Sequence, residues 1–217
     1  MSAASKSKIE LNKPLEKTIQ SLIKQFPSIP VVRKTILAQL TDFVEAKSEA
    51  HQKIELVFIC THNSRRSHIS QIWAQAAAAY YGVKNVLSYS GGTEATAFNP
   101  RAVRAMKVAG FRIDAPTEST NPIYKVSLSD KAQEEIFAFS KRYDDDSNPK
   151  EGFAAIMTCS HADENCPVIS GMEKRISLPY DDPKDFDGTP QENEKYSERV
   201  MEIGKEILFA FSQVKAG

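Results

Sequence analysis

Cysteine is scarce in this chain, and the sequence shows neither an export signal nor a membrane-spanning segment. The 217 residues include 3 cysteines, an odd number and too few for the disulfide framework of a small secreted domain. The N-terminal stretch has no apolar core of an export signal, and no apolar run approaches the roughly 18 residues of a membrane span. We therefore expect a cytoplasmic protein with no membrane partner, whose thiols are kept reduced for chemistry.

Neither sign of charge is in excess, because 28 lysine and arginine residues balance 28 aspartate and glutamate residues. A basic surface that binds nucleic acid or an anionic membrane is therefore not indicated. Apolar residues make up 41% of the sequence, which is ordinary for a globular chain with a real core. These proportions favour small molecules or proteins as partners.

The pattern of apolar residues divides the chain into a helical extension and an α/β domain. Residues 8–50 have apolar residues at helical spacing, interrupted by the stretch PSIP. From Ile54 onward apolar strands alternate with helical segments, which is typical of a parallel α/β sheet. We assign residues 1–52 to the extension and 53–217 to a domain with a four-stranded parallel sheet flanked by helices. The extension is expected to serve packing, and it is also a candidate surface for a homodimer.

Short local signals set the boundaries of these elements. Gly82 ends the first helix of the α/β domain, and Asn99 and Pro100 begin the second, which stops at Gly110. The stretch 127–143 has a helical pattern, although its flanks TESTNP and DDDSNPKEG are typical of loops. The predicted strands are residues 54–59, 86–90, 153–158 and 175–180, and the predicted helices of the domain include 67–81, 100–109 and 191–213.

The loop after the first strand, CTHNSRRS, is the strongest chemical signal in the sequence. A loop that leaves a parallel strand and opens a helix can direct its N–H groups at one point, where the helix dipole adds positive potential. Cys60 begins the loop and Arg66 lies six residues later, so a guanidinium group can clamp two oxygens of a tetrahedral anion that faces the sulfur. Such surroundings favour the thiolate, the nucleophilic form of cysteine. The plainer alternative is a buried cysteine beside surface arginines.

These residues resemble the C-x5-R-S phosphate loop of the low-molecular-weight protein tyrosine phosphatases and of the thioredoxin-coupled arsenate reductases that share their fold. The resemblance continues in YSGGTEA, FNPRAVRAMKVAG and YDDP, and it covers residues 54–213 apart from the irregular middle. It implies that Cys60 is the nucleophile and Arg66 the oxyanion clamp. It also implies that Ser67 hydrogen-bonds the thiolate and that Asn63 braces the loop. The loop residues expected around the substrate oxyanion are Thr61, His62, Asn63, Ser64 and Arg65.

A general acid is also required, because the leaving oxygen needs a proton when a thiolate displaces it from a tetrahedral oxyanion. Asp182, followed by Pro183, lies after the fourth predicted strand, at the sheet end expected for Cys60. The resemblance implies Asp182 for this role. From the sequence alone, Asp181 is a competing candidate.

The stretch MTCSHADENCPV contains the other two cysteines, Cys159 after an apolar strand and Cys166 seven residues later. They allow a disulfide relay in which Cys159 attacks Cys60 as the reduced product leaves, and Cys166 then attacks Cys159. The pair resembles the resolving cysteines of the thioredoxin-coupled arsenate reductases, whereas plain phosphatases have no need of it. Two other interpretations remain: a zinc site that includes His161, whose spacing fits no common signature, and simple packing of both cysteines.

Some positions depart from the pattern of the related proteins. His62 and Arg65 stand where the reductases commonly have glycine and cysteine. Gln71 stands where some of them have a glutamate associated with potassium, so we do not predict potassium. No other metal and no cofactor is predicted. KDF follows the Asp-Pro pair, instead of the paired tyrosines typical of the eukaryotic phosphatases, which weakens a phosphotyrosine-protein interpretation.

The combined interpretation is an arsenate reductase that converts arsenate to arsenite through Cys60, Cys159 and Cys166 and is recycled by thioredoxin or a similar dithiol donor. The alternative is a phosphatase that hydrolyses phosphate monoesters through a phosphocysteine at Cys60. A third class, a non-catalytic oxyanion-binding module, would bind phosphate without turnover. Phosphate and arsenate have nearly the same shape, so the loop alone does not choose between the two enzymes.

Overall fold

The computed structural model describes residues 10–114, 119–131, 135–165 and 168–215. None of the helices within these ranges has the length and apolar character that crossing a bilayer requires. The strands are β1 (Ile54–Cys60), β2 (Val86–Gly92), β3 (Arg112–Asp114), β4 (Tyr124–Ser127), β5 (Glu135–Ala138), β6 (Phe153–Met157) and β7 (Met172–Ser177). The helices are α1 (Lys13–Ile23), α2 (Val31–Glu49), α3 (Arg66–Tyr81), α4 (Pro100–Val108), α5 (Ser160–Asn165) and α6 (Glu192–Ser212), with 3₁₀ turns at Phe26–Ser28 and Pro183–Phe186.

The central sheet is four-stranded and parallel, in the order β2-β1-β6-β7, which confirms the predicted fold class. β1 and β6 occupy its middle and are buried along almost their whole length, which explains their continuous apolar sequences. Ile59 pairs with Gly91 of β2 on one side and with Met157 of β6 on the other. The residues that follow these three strands therefore emerge at the same edge of the sheet.

Two hydrophobic clusters cover the faces of this sheet. The larger one lies under α3 and α6, where Trp73 is fully buried and Gly204 approaches it closely. A Cβ atom at Gly204 would lie 2.4 Å from the indole ring, so only glycine allows this approach of the two helices. The smaller cluster lies under α5 and includes Cys60 and Cys159.

The N-terminal helices form as predicted and pack against α6. Asn12 begins α1 by accepting a hydrogen bond from the N–H of Leu15, and the 3₁₀ turn then separates α1 from α2. Leu15, Ile19 and Leu37 are fully buried and belong to the same cluster as Trp73. The division of the chain at residue 52 stays a prediction.

A second, antiparallel sheet of three strands, β3-β4-β5, was not predicted. The expected helix over residues 127–143 is wrong, because β4 ends at Ser127 and β5, its antiparallel partner, lies inside this stretch. In β5, Ile136 and Ala138 are buried whereas Glu135 and Phe137 are exposed. This alternation covers only four residues, too few to be recognised beside the helical pattern of the surrounding charged stretch.

Candidate active site

The loop that connects β1 to α3 is shaped by Asn63. Its φ of +43° lies in the left-handed region, which asparagine adopts more readily than most residues. Its amide Nδ2 donates to Oγ of Ser67 at 2.9 Å, and its Oδ1 accepts from the backbone N–H of Lys141 at 2.8 Å. These two bonds tie the loop to α3 and to the segment that follows β5.

The carbonyl groups of the loop are engaged by the surrounding chain. Because these carbonyl oxygens point outward to their hydrogen-bond donors, the N–H groups of the loop and of the start of α3 are left to bind an anion. Gly92 allows the close approach, since a Cβ there would lie 2.7 Å from the nitrogen of Asn63. The bonded pairs are Cys60 O with Thr93 N (3.2 Å), Thr61 O with Glu94 N (2.8 Å), His62 O with Thr96 Oγ1 (3.0 Å) and Ser64 O with Asn99 N (2.9 Å).

The thiol of Cys60 lies at the end of β1, 3% exposed, with its Sγ 3.1 Å from Oγ of Ser67. Because the amide nitrogen of Asn63 only donates, Oγ of Ser67 accepts there and can point its own proton at the sulfur. A hydrogen bond directed at sulfur favours the thiolate over the thiol. The contact expected for Ser67 is therefore present.

Arg66 joins the loop to the segment after β7. Its Nη2 donates to Oδ2 of Asp182 at 2.7 Å, and its Nη1 donates to the carbonyl of Tyr180 at 2.9 Å. Asp181, the competing candidate, has a side chain that is 98% exposed and lies 3.5 Å from Arg199. Of the two aspartates, the structure brings Asp182 to the phosphate loop.

Arg65 contacts groups that sequence reasoning missed. Its Nε donates to the hydroxyl of Tyr196 on α6 at 2.8 Å, and its Nη2 lies 3.5 Å from Asp187. The Tyr196 hydroxyl in turn donates to Asp187 at 2.7 Å. Burial, reinforced by its bond to Asp187, raises the pKa of Tyr196 to about 12, so the hydroxyl keeps its proton. No local motif marks these residues, because they meet the loop only in the folded chain.

Cys159 lies beside the loop, two residues after the end of β6. Its side chain is 1% exposed, and its Sγ is 3.5 Å from Oγ1 of Thr61, the residue next to Cys60. The N–H of Ala162 in α5 donates to the same sulfur at 3.4 Å. Cys166 lies outside the described residues, so the structure says nothing of the predicted pair.

The exposed rim of the loop carries two histidines. Nε2 of His62 lies 3.8 Å from a carboxylate oxygen of Glu94, and Nδ1 of His161 lies 3.2 Å from Oγ1 of Thr61. Neither belongs to a metal cluster, since no group of three His, Cys, Asp or Glu side chains among the described residues is placed to hold an ion. The zinc site considered from the sequence would also include Cys166, which lies outside the described residues.

Two ionisable side chains are buried behind the loop, and no pattern in the sequence predicted their burial. His68 is fully buried, with Nδ1 3.0 Å from Oγ of Ser90 and its ring stacked on Phe98. Burial, with the positive charge of Lys141 as a second cause, lowers the pKa of His68 to about 3. Burial also lowers the pKa of Lys141 to about 8, and its Nζ lies 4.3 Å from the ring centre of Phe139.

Known proteins resemble this chain. The family profile described as low molecular weight phosphotyrosine protein phosphatase matches residues 55–132. An arsenate reductase of Halalkalibacterium halodurans is 31% identical over 153 residues, which cover 70% of this chain and 91% of the relative. The chain belongs to the low-molecular-weight phosphatase and arsenate reductase family, a family of enzymes. A second relative in this family, an arsenate reductase of Bacillus licheniformis, is 32% identical over 157 residues, or 71% of this chain and 93% of its own length.

The family fold also appears among solved structures. A low-molecular-weight phosphotyrosine phosphatase of Vibrio cholerae O395 superposes with a TM-score of 0.50 and 13% identity. The match covers 73% of this chain and 94% of the other. At this identity the likeness concerns the fold alone, and it agrees with the four-stranded parallel sheet.

Proposed function

We propose that the protein is an arsenate reductase in which Cys60 attacks arsenate and Cys159 then attacks Cys60. The observation that carries the proposal is the position of Cys159, whose sulfur contacts Thr61 beside the nucleophile. A phosphatase needs no second thiol at this place. The names of the two arsenate reductases that resemble the chain support the same choice.

In the first step, the Cys60 thiolate bonds to the arsenic of arsenate and displaces one oxygen. Arg66 and the loop N–H groups bind the remaining oxygens, which carry the negative charge. Asp182 donates a proton to the leaving oxygen, which departs as water. Its bond to Arg66 supports this assignment, because that bond holds the carboxyl group at the edge of the loop.

In the second step, the Cys159 thiolate attacks Sγ of Cys60, and the sulfur–arsenic bond breaks with its electron pair left on arsenic. The two sulfurs lose two electrons and form a disulfide, while As(V) becomes As(III) and leaves as arsenite. Cys166 then attacks Cys159 and frees Cys60. A cytoplasmic location and recycling by thioredoxin or a similar dithiol donor are parts of this proposal.

The second candidate function is hydrolysis of phosphate monoesters at the same loop. It is favoured by the Arg66–Asp182 pair, which places an acid beside an oxyanion clamp, and by the match to the phosphatase profile. In this reaction Cys60 takes the phosphoryl group and Asp182 protonates the leaving alcohol. Asp182 then activates the water that hydrolyses the phosphocysteine.

The deciding experiment is a single turnover without a dithiol donor. The fully reduced protein is incubated with arsenate, arsenite is quantified, and the cysteines are located by mass spectrometry. One equivalent of arsenite together with a Cys159–Cys166 disulfide is the expected result. Three free thiols, with hydrolysis of p-nitrophenyl phosphate, would transfer the assignment to the phosphatase. Cys60→Ser is the control and should abolish both reactions without unfolding the protein.

A further inference from the structure

Three side chains form a hydrogen-bonded path from a buried thiol to the surface. Sγ of Cys159 lies 3.5 Å from Oγ1 of Thr61, and the same oxygen lies 3.2 Å from Nδ1 of His161. Cys159 is 1% exposed, whereas His161 on α5 is exposed to solvent. A proton that leaves the thiol therefore has a path along defined contacts to a group in contact with water.

The chemistry of the three groups gives this path a direction. A hydroxyl group has one proton to donate and lone pairs that accept, so Oγ1 of Thr61 can accept from the thiol while it donates to an imidazole nitrogen. A neutral imidazole that carries its proton on Nε2 accepts at Nδ1. Nδ1 is the nitrogen that faces Thr61. The thiol, which must be deprotonated before it can attack, is at the donating end.

We propose that His161 is a positioning residue for the second step. It accepts the proton of Cys159 through the hydroxyl group of Thr61. This inference rests on the proposed function, since the thiolate that it supplies is the one that attacks Cys60. The Cys159 proton moves to Oγ1 of Thr61, and the Thr61 proton moves to Nδ1 of His161, which becomes an imidazolium. The thiolate then forms the disulfide with Cys60 as arsenite leaves.

Two pairs of ionisable groups near α5 and the loop contact each other. α5 packs against β1 and β6, and β6 contains no ionisable residue. Asp163 of α5 accepts hydrogen bonds from Arg175 of β7 at 3.0 and 2.7 Å. On the loop, His62 faces Glu94. The Cys60 thiol, the partner in the reaction, lies at the end of β1, one residue before Thr61.

The test measures formation of the Cys60–Cys159 disulfide in a Cys166→Ser background, in which the relay stops at that bond. The protein is mixed with saturating arsenate, and the disulfide is quantified with time between about pH 7 and pH 9, the range in which a free thiol of pKa about 8.5 ionises. We expect His161→Gln to slow the reaction roughly tenfold at pH 7 and to approach the parent rate at pH 9, where hydroxide in solution can replace the missing base. Glu164→Gln, an exposed change on the same helix, should match the parent throughout.

Thr61 supplies a second test of the same path. Thr61→Val removes the hydroxyl and should show the same pH-dependent loss, whereas Thr61→Ser keeps it and should restore most of the rate. A His161→Gln variant that matches the parent at every pH, or that is equally slow at every pH, would overturn the proposal. A parent protein that forms no disulfide and no arsenite would instead refute the arsenate reductase function itself.

Discussion

Asn63 is the residue on which the shape of the loop most depends. It combines a left-handed backbone with two side-chain bonds that join Ser67 on α3 and the backbone of Lys141. Both bonds are buried, so removing the amide leaves a donor or an acceptor without a partner. This position therefore requires both a residue that tolerates a positive φ and a side chain that forms the two hydrogen bonds.

Asn63→Ala and Asn63→Gly separate the effect of the backbone conformation from that of the side-chain hydrogen bonds. Both should lower the free energy of unfolding by about 1–3 kcal/mol through the lost bonds. Alanine should cost a further ~1 kcal/mol, because glycine accepts a positive φ without strain. Urea unfolding measures both effects, and hydrolysis of p-nitrophenyl phosphate shows whether the loop still functions. Equal stability of the two variants would contradict a role for the backbone conformation.

Asp182 and Asp181 provide a matched pair for the general acid. The shared loop should give residual phosphatase activity in either enzyme. We expect Asp182→Asn to reduce the kcat of this activity roughly a hundredfold on aryl phosphates with poor leaving groups, and far less on those with good ones. Asp181→Asn should leave kcat unchanged, because its side chain is exposed to water. Steady-state rates on a series of leaving groups measure this contrast. Equal losses in both variants would remove Asp182 from its role.

At the scale of secondary-structure elements, α2 is connected to the segment that carries the acid. Arg33 of α2 makes a two-bonded ion pair with Glu206 of α6, at 3.0 and 2.6 Å. It also donates to the carbonyl of Pro179 at 3.2 Å and lies over the ring of Tyr180. The Tyr180 carbonyl accepts from Arg66. The segment before Asp182 is therefore held between the N-terminal extension and the phosphate loop.

The Arg33–Glu206 pair predicts a non-additive pair of substitutions. The side chain of Glu206 is only 4% exposed, so Arg33→Met should leave a buried charge without its partner and cost about 3 kcal/mol. Glu206→Gln should also destabilise the protein, but the double variant should be more stable than the sum of the single effects predicts. Urea unfolding of all four proteins measures the coupling. Strictly additive losses would mean that the pair contributes nothing.

At the scale of the whole molecule, the buried His68 links stability to pH. Its pKa is about 3 in the folded protein and about 6.5 in the unfolded chain. Above pH 6.5 neither state binds a proton at this ring, whereas between pH 6.5 and pH 3 only the unfolded state does. His68 therefore makes the free energy of unfolding fall as the pH drops through this range, by at most about 1.4 kcal/mol per pH unit.

His68→Gln tests this linkage. The glutamine does not titrate, so the stability of the variant should depend less steeply on pH between about 6.5 and 4 than that of the parent. Urea unfolding at several pH values measures the two slopes. Parallel pH profiles for the parent and the variant would show that His68 is protonated inside the folded protein.

Much of the fold could be predicted because its signals are local. The apolar run of β1, the Asn99–Pro100 start of α4 and the cysteine-to-arginine spacing of the loop each involve residues within a few positions of one another. The three-stranded sheet could not be predicted, because strands of three or four residues are too short for an alternation of apolar and polar residues to be recognised.

By itself, the sequence determined the parallel sheet, the phosphate loop and the three cysteines as candidates for redox chemistry, because strand periodicity, helix caps and motif spacing act over short stretches of chain. Only the tertiary structure decided that Asp182 and not Asp181 meets Arg66, and that Thr61 contacts both Cys159 and His161. These contacts join residues 98 to 116 positions apart. No local pattern encodes such pairs, since they depend on which strand ends the folded sheet brings to one edge.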